Sequence, residues 1–244
     1  MRRIINIYKP LGSTPLKAID KFKKQYPKYK DVPMTYAGRL DPIAEGVLIV
    51  LTGSAVRKKN EYLRLDKKYE AEILYGFKTD SFDILDLPKK APDNLKIDEE
   101  TFKKFSGDFN FLLPPFSSFK IKGKPIFWWA KQERLKEIEI PERITKIYYI
   151  KFFGLYEINS NDLLRSAIKK INMIKGDFRQ EKIKQEWQKI LKTPQNKIFK
   201  IAKITIKASG GTYIRSIADR TDGVLFSLKR MSVGRFNLKN SLIL

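Results

Sequence analysis

Tyr36-Ala37-Gly38-Arg39-Leu40-Asp41-Pro42-Ile43-Ala44-Glu45-Gly46-Val47-Leu48-Ile49-Val50-Leu51 joins a polar loop to an unbroken apolar run. Asp41 stands between a leucine and a proline, and the proline stiffens the backbone and steers the residue before it out of the helical region. Gly38 and Gly46 flank the acid, so backbone or a ligand can approach closely on either side. Val47 to Leu51 reads as a strand buried on both faces. Taken together, the stretch presents one carboxylate at the edge of a rigid sheet. Taken alone, Leu-Asp-Pro also suits an aspartate capping a turn beside a core strand.

The chain has 244 residues, the size of one large domain or of a domain with an appendage, and 42% hydrophobic residues are enough for a substantial core. Fifty Lys and Arg stand against 27 Asp and Glu, a net charge of +23 that points to a polyanionic partner, nucleic acid before all others. No basic amphipathic stretch marks a membrane-surface helix. The chain contains neither Cys nor His. Disulfides, thiol nucleophiles, cysteine zinc sites and histidine-based triads are thereby excluded. Chemistry must rest on carboxylates, Lys, Arg, Tyr or Ser. The N-terminal apolar stretch is too short for a signal peptide and no run is long enough to span a bilayer, so a cytoplasmic protein is expected.

Along the chain, Ile4 to Tyr8 reads as a strand ended by Lys9-Pro10-Leu11-Gly12, and Thr14-Pro15 as the cap and first residue of a helix with Leu16, Ile19 and Phe22 on its face. A second helix is expected from Ser54 through Tyr62. Tyr69, Ala71, Ile73 and Tyr75 alternate with Glu70, Glu72 and Leu74 in the period of a strand. A polar turn over Lys78 to Asp83 and a proline-spotted loop lead to a short helix capped by Asp98, a hairpin after Pro114-Pro115, a helix from Ile126, and a strand pattern from Ile144 to Phe153. Residues 161–192 read as two inserted helices broken at Gly176, with stripes Leu164, Ala167, Ile168, Ile171, Ile174 and Ile183, Trp187, Leu191. Such stripes are most simply core contacts, although the lysines on the outer faces also suit an RNA-gripping arm. Ile198 to Ala208 and Leu225 to Phe236 return to strand, separated by a Gly210-Gly211 loop and a helix carrying Tyr213 and Arg215.

Gly38-Arg39-Leu40-Asp41-Pro42-Ile43-Ala44-Glu45-Gly46, Lys67-Lys68-Tyr69 and Gly211-Thr212-Tyr213-Ile214-Arg215 together closely resemble the TruB family of tRNA pseudouridine synthases. The same order includes Lys9-Pro10-Leu11-Gly12-Ser13-Thr14, Pro114-Pro115-Phe116-Ser117-Ser118-Phe119-Lys120 and Val233-Gly234-Arg235-Phe236, so the likeness runs through nearly the whole chain outside the helical hairpin. The resemblance implies an α+β pseudouridine synthase fold, a mixed and mainly antiparallel sheet flanked by helices, in a single catalytic domain over 1–244. It implies conversion of uridine to pseudouridine, most simply uridine 55 in the TΨC loop of tRNA, without metal or organic cofactor, by a monomer whose partner is the T-arm. Asp41 matches the family's essential aspartate, Arg215 the arginine that orients it, and Tyr69 the aromatic residue stacked on the extruded base. Tyr213 and Leu228 match pocket-lining residues, Tyr36 lies where an aromatic can insert beside the displaced base, and Lys9 and Lys120 match supporting or RNA-contact positions.

The chain departs from the family's pattern at Tyr36, where histidine is common, and at Arg39, where a small or polar residue is usual. It ends eight residues after Phe236, and a short form without the C-terminal PUA domain of many relatives is expected. Gly-Arg-Leu-Asp is common among synthases acting on ribosomal RNA, which keeps that substrate as an alternative beside a non-catalytic RNA-binding or RNA-folding protein on the same scaffold.

Overall fold

The computed structural model describes residues 2–174, 176, 178–192 and 197–244. Its frame is a nine-stranded sheet. In chain order the strands are β1 (Ile4–Lys9), β2 (Met34–Ala37), β3 (Ala44–Thr52), β4 (Lys67–Tyr75), β5 (Phe77–Lys78), β6 (Lys89–Lys90), β7 (Gly107–Leu112), β8 (Lys120–Ile121), β9 (Lys124–Pro125), β10 (Glu142–Asn159), β11 (Ile198–Ala208), β12 (Gly223–Val233) and β13 (Phe236–Asn237). The main path runs β1-β3-β12-β4-β11-β10-β7, with β2 on β3 and β13 on β12, while β5-β6 and β8-β9 form separate two-stranded ribbons. Strand β3 runs parallel to β12 and the other neighbours in this sheet pair antiparallel. The mixed, mainly antiparallel α+β architecture is the one the sequence implied.

The apolar run of β3 is explained by cover on both faces, as expected of a strand with a parallel neighbour. Leu48 and Val50 pack with Ile5, Ile7, Ile19 and Phe22, whereas Val47, Ile49 and Leu51 pack on the other side with Ala55 and Val233. Gly46, the third residue of the strand, has φ +110°, and a Cβ there would lie 2.3 Å from the Arg230 carbonyl oxygen. Only a residue without a side chain brings the Asp41 loop this close to β12.

Helix α1 (Pro15–Gln25) begins as read, with the Thr14 hydroxyl accepting from the Lys17 amide. Its buried face is Pro15, Ala18, Ile19 and Phe22, whereas Leu16, expected on that face, is 61% exposed. Position 16 falls roughly 110° from the centre of the 15, 18, 19 and 22 stripe around a helix of 3.6 residues per turn, and the proline at the first position takes its place. The helix expected over Ser54 to Tyr62 divides into a 3₁₀ turn (Gly53–Lys58) and α2 (Lys59–Arg64). Helices α3 (Glu99–Lys103), with Asp98 and Thr101 forming a capping box, and α4 (Ile126–Lys131) follow. Further on come α5 (Ser160–Met173), α6 (Gln180–Leu191) and α7 (Ile214–Arg220).

Helices α5 and α6 are the hairpin expected over 161–192, of which residues 175 and 177 lie outside the described residues. The α5 stripe is centred on Leu163, Ala167 and Ile171, one position from the expected Leu164. Together with Ile183, Trp187 and Leu191 these side chains mostly join the main core. Trp187 is fully buried, packs against Phe77 and donates its indole N–H to the Ile84 carbonyl at 3.1 Å. The two helices form a layer of the body, as the reading of their stripes as core contacts expects. Among the described residues no helix is long and apolar enough to cross a membrane.

Trp187→Ala is expected to lower the unfolding free energy by about 3–5 kcal/mol in urea titrations, the cost of emptying a buried aromatic site. An unchanged midpoint accompanied by weakened RNA binding would instead assign the hairpin to RNA contact.

Candidate active site

Asp41 lies in the turn between β2 and β3, whose geometry is set from four directions. Its own carbonyl accepts from the Ala44 amide at 3.0 Å, and the Pro42 carbonyl accepts from the Gly12 amide at 2.9 Å. Arg230, buried on β12, donates Nε to the Val47 carbonyl at 2.7 Å and its two terminal nitrogens to the Arg39 and Gly38 carbonyls at 3.3 and 3.1 Å. One guanidinium thereby ties the backbone before Asp41 to the backbone after it. Burying this charge is costly unless its donors are satisfied, and three carbonyls together with the Tyr69 hydroxyl satisfy them.

Arg215, in the first turn of α7, reaches the same loop from the far side. Its Nη2 is 3.1 Å from Asp41 Oδ2, and its Nη1 donates to the Ser81 carbonyl at 2.8 Å and faces Asp83 Oδ2 at 3.5 Å. The side chain is 4% exposed, that of Asp83 6% and that of Asp41 28%. Burial works against the arginine's charge, but Asp41 and Asp83 together outweigh it and hold the guanidinium above its ordinary value. Asp83 experiences the opposite balance, since burial dominates over the neighbouring arginine and lifts its carboxyl to about 6. Asp41 is thus the solvent-facing member of a carboxylate-guanidinium-carboxylate row.

A cavity of about 610 Å³ opens in front of Asp41. Tyr36, Tyr69, Lys120, Tyr213, Arg215 and Leu228 all line it with Asp41. Tyr69 on β4 and Leu228 on β12 point to the same face of adjacent strands. Burial raises the Tyr69 phenol well above its ordinary value despite the adjacent Arg230, so the hydroxyl is neutral at physiological pH. Burial also raises Tyr213. Lys67 leaves its Nζ on the Leu63 and Leu65 carbonyls at 2.7 and 2.5 Å, and burial lowers it to about 8. At the mouth, Lys59 lies over the Tyr36 ring at 5.6 Å, with the exposed Arg39 and Lys120 nearby. Among the described residues no cluster of acidic, His or Cys side chains is arranged to hold a metal ion.

Lys9 is the sequence-derived site residue that falls elsewhere. It is fully buried and donates to the Pro10 and Ser13 carbonyls at 3.1 and 2.9 Å, so RNA cannot reach it. Burial lowers it to about 7 although Asp41 pulls the other way. Of the two roles expected of it, RNA contact is thereby corrected and support remains, here of the loop that braces Pro42. Asp83 and Arg230 were missed. Asp83 sat in a segment read as a polar turn, whereas Arg230 carried a usable signal, an arginine two residues from Leu228 on the same inward face of a strand.

A family model described as "TruB family pseudouridylate synthase (N terminal domain)" matches residues 27–176. A tRNA pseudouridine synthase B of Fusobacterium nucleatum subsp. nucleatum is 30% identical over 249 residues, covering 98% of this chain and 70% of that protein. Its counterpart from Malacoplasma penetrans is 28% identical over 247 residues, covering 97% and 87%. Among solved structures, a Cbf5-Nop10-Gar1 complex shares the fold at a TM-score of 0.58 and 19% identity, covering 99% of this chain and 52% of the other. The chain therefore spans about half the length of that structural neighbour.

Because Asp83 has its pKa raised from 3.8 to about 6, the folded chain holds this proton more tightly than the unfolded chain does. The stability this contributes is present in full below 3.8 and is lost as pH rises through about 6. Ionisation over the same window completes the second anchor of Arg215. Turnover should therefore fall as pH drops below about 6, and Asp83→Asn should be slow at every pH with that acidic limb gone; a variant profile matching the wild type would contradict this. Lys9→Met is expected to lower the melting temperature while leaving the Kd for RNA unchanged, as read by anisotropy.

Proposed function

The chain belongs to the TruB family of pseudouridylate synthases, enzymes that isomerise uridine to pseudouridine in RNA, and we propose that its target is uridine 55 in the TΨC loop of tRNA, with Asp41 as the essential carboxylate. The observation carrying this reading is the 3.1 Å pair between Asp41 and Arg215 at the wall of a cavity whose other sides are Tyr69 and Leu228. A planar base fits between an aromatic ring and an aliphatic side chain, and a carboxylate beside it is suited to attack or to proton transfer.

The reaction breaks the C1′–N1 bond, turns the base and joins C5 to C1′. The proton leaves C5 and N1 ends protonated, so no electron is gained or lost and no redox group is required. Arg215 keeps the carboxylate in one orientation through a planar fork, which a lysine cannot reproduce. Tyr69, neutral in its buried site, offers a stacking face. Extruding the uridine costs a few kcal/mol of stacking, and base-aromatic contact recovers about 1–3 kcal/mol of it. Arg39, Lys59 and Lys120 at the mouth are placed for the flanking phosphates, since the deeper cations are already engaged by carbonyls or carboxylates. Recognition of a folded T-loop by shape accords with the way proteins read structured RNA. A tRNA substrate supports a cytoplasmic location, and a monomer is the assembly proposed.

Asp41→Asn should lower pseudouridine formation on a T-arm transcript by a factor on the order of 10³, read by nucleotide mapping, with RNA affinity nearly intact. Pseudouridine appearing in ribosomal RNA but not in tRNA would transfer the activity to that substrate. Wild-type binding with no product in either RNA would leave the non-catalytic reading.

A further inference from the structure

The sheet has a second face, and its composition differs from that of the first. On β4, Tyr69, Ala71 and Ile73 are buried on the cavity side, so Lys68, Glu70 and Glu72 point the other way. Register places Lys68 beside Lys207, Lys207 beside Tyr149, and Lys151 beside Thr205. Phe152 stacks on Phe102 in the core, which sends Lys151 and Phe153 to the outer face. Lys203 lies opposite the bulge around Gly154, which has φ +112°.

The result is an uncovered stripe across β10, β11 and the start of β4. Phe153 is 55% exposed and Tyr149 39%, and Lys68, Lys151, Lys203 and Lys207 are all exposed. None of these four lysines is in an ion pair among the described residues. Lys203 pairs in register with Glu72, but that carboxylate is hydrogen-bonded by the Tyr156 hydroxyl. Asp66 accepts from the Tyr148 hydroxyl at 2.9 Å, and Glu70 and Asp108 complete the acidic groups bordering the stripe.

Exposed aromatic side chains grouped on one sheet face mark an interaction surface rather than unused exterior. Successive same-face residues on a strand are about 6.8 Å apart, so Tyr149 and Phe153 stand roughly 13 Å apart with Lys151 between them. Rings that accept a base, interleaved with cations outside any ion pair, two of them lying over neighbouring rings (Lys151 over Phe153 at 5.2 Å, Lys207 over Tyr148 at 5.4 Å), constitute the chemistry of sequence-independent single-strand binding. We infer that this face is a second RNA-docking surface, separate from the pocket, that takes unpaired RNA through phosphate contacts and base stacking without reading sequence. The net charge of +23 matches that partner. A second copy of the chain would place the same unpaired lysines against each other.

The test is fluorescence anisotropy with a labelled oligoadenylate of about 12 nucleotides, which contains no uridine for the pocket. Wild type and Asp41→Asn should bind it alike, so loss of the catalytic reading leaves this one standing. The combined variant Lys151→Glu, Lys203→Glu, Lys207→Glu should bind at least tenfold more weakly. Its log-affinity against log-salt slope should be flatter by about 2, from roughly 0.7 for each lost phosphate contact to a single strand. Turnover on the T-arm transcript should be unchanged, which also reports that the variant is folded. Tyr149→Ala with Phe153→Ala should weaken oligoadenylate binding while leaving the salt slope in place. Undiminished binding by the triple variant overturns the inference, as does parallel loss of T-arm turnover in a folded variant. So does sedimentation showing that the aromatic pair holds two copies together while RNA binding persists.

Discussion

The pair between Asp41 and Arg215 joins two parts of the chain that meet only in the folded sheet. A buried guanidinium with one partly exposed carboxylate as its partner would be poorly compensated, because the exposed acid is screened by water. Asp83 removes that difficulty. It is buried where Asp41 is open, so it neutralises the arginine from within and leaves Asp41 directed toward the cavity. The cost falls on Asp83, whose carboxyl is held near 6, and with it the hold on Arg215 becomes sensitive to acid.

Around this row the frame is built from cations that end on backbone oxygens rather than on acids. Arg230, Lys67 and Lys9 donate to carbonyls of the Asp41 loop, of the segment before β4 and of the loop after β1. A carbonyl partner satisfies a donor without neutralising a charge, so no carboxylate is consumed and a positive potential remains around the pocket. Lys9 and Lys67 show the cost of this arrangement, since burial outweighs the nearby acids, Asp41 and Glu45 for the first and Asp66 for the second, and pulls them down to about 7 and about 8.

The sheet also separates two surfaces. Alternation along β4 directs Tyr69 to the pocket and Lys68 to the opposite side, so one strand serves both without either side chain compromising the other. The α5-α6 layer is anchored in the main core by Trp187 and its neighbours and does not extend over the outer stripe of β10.

Local pattern alone determined a good deal. Period-two alternation marked β4, the apolar runs marked β3 and β11, and Thr14-Pro15 marked the start of α1, because each is a property of neighbouring residues. The motif order indicated which aspartate, tyrosine and arginine meet, although nothing in their spacing requires it. Leu16 was misplaced because a helical stripe is ambiguous by one position, and the role of Lys9, support or RNA contact, stayed open because a lysine in a loop looks the same whether it is solvated or buried. Asp83 became visible only in three dimensions, and Arg230, for all its signal beside Leu228, gained its role only there. Their roles depend on sheet register and on burial, which place Arg230 against Tyr69 and close Asp83 off behind Arg215, and neither distance nor solvent access is encoded in the identity of adjacent residues.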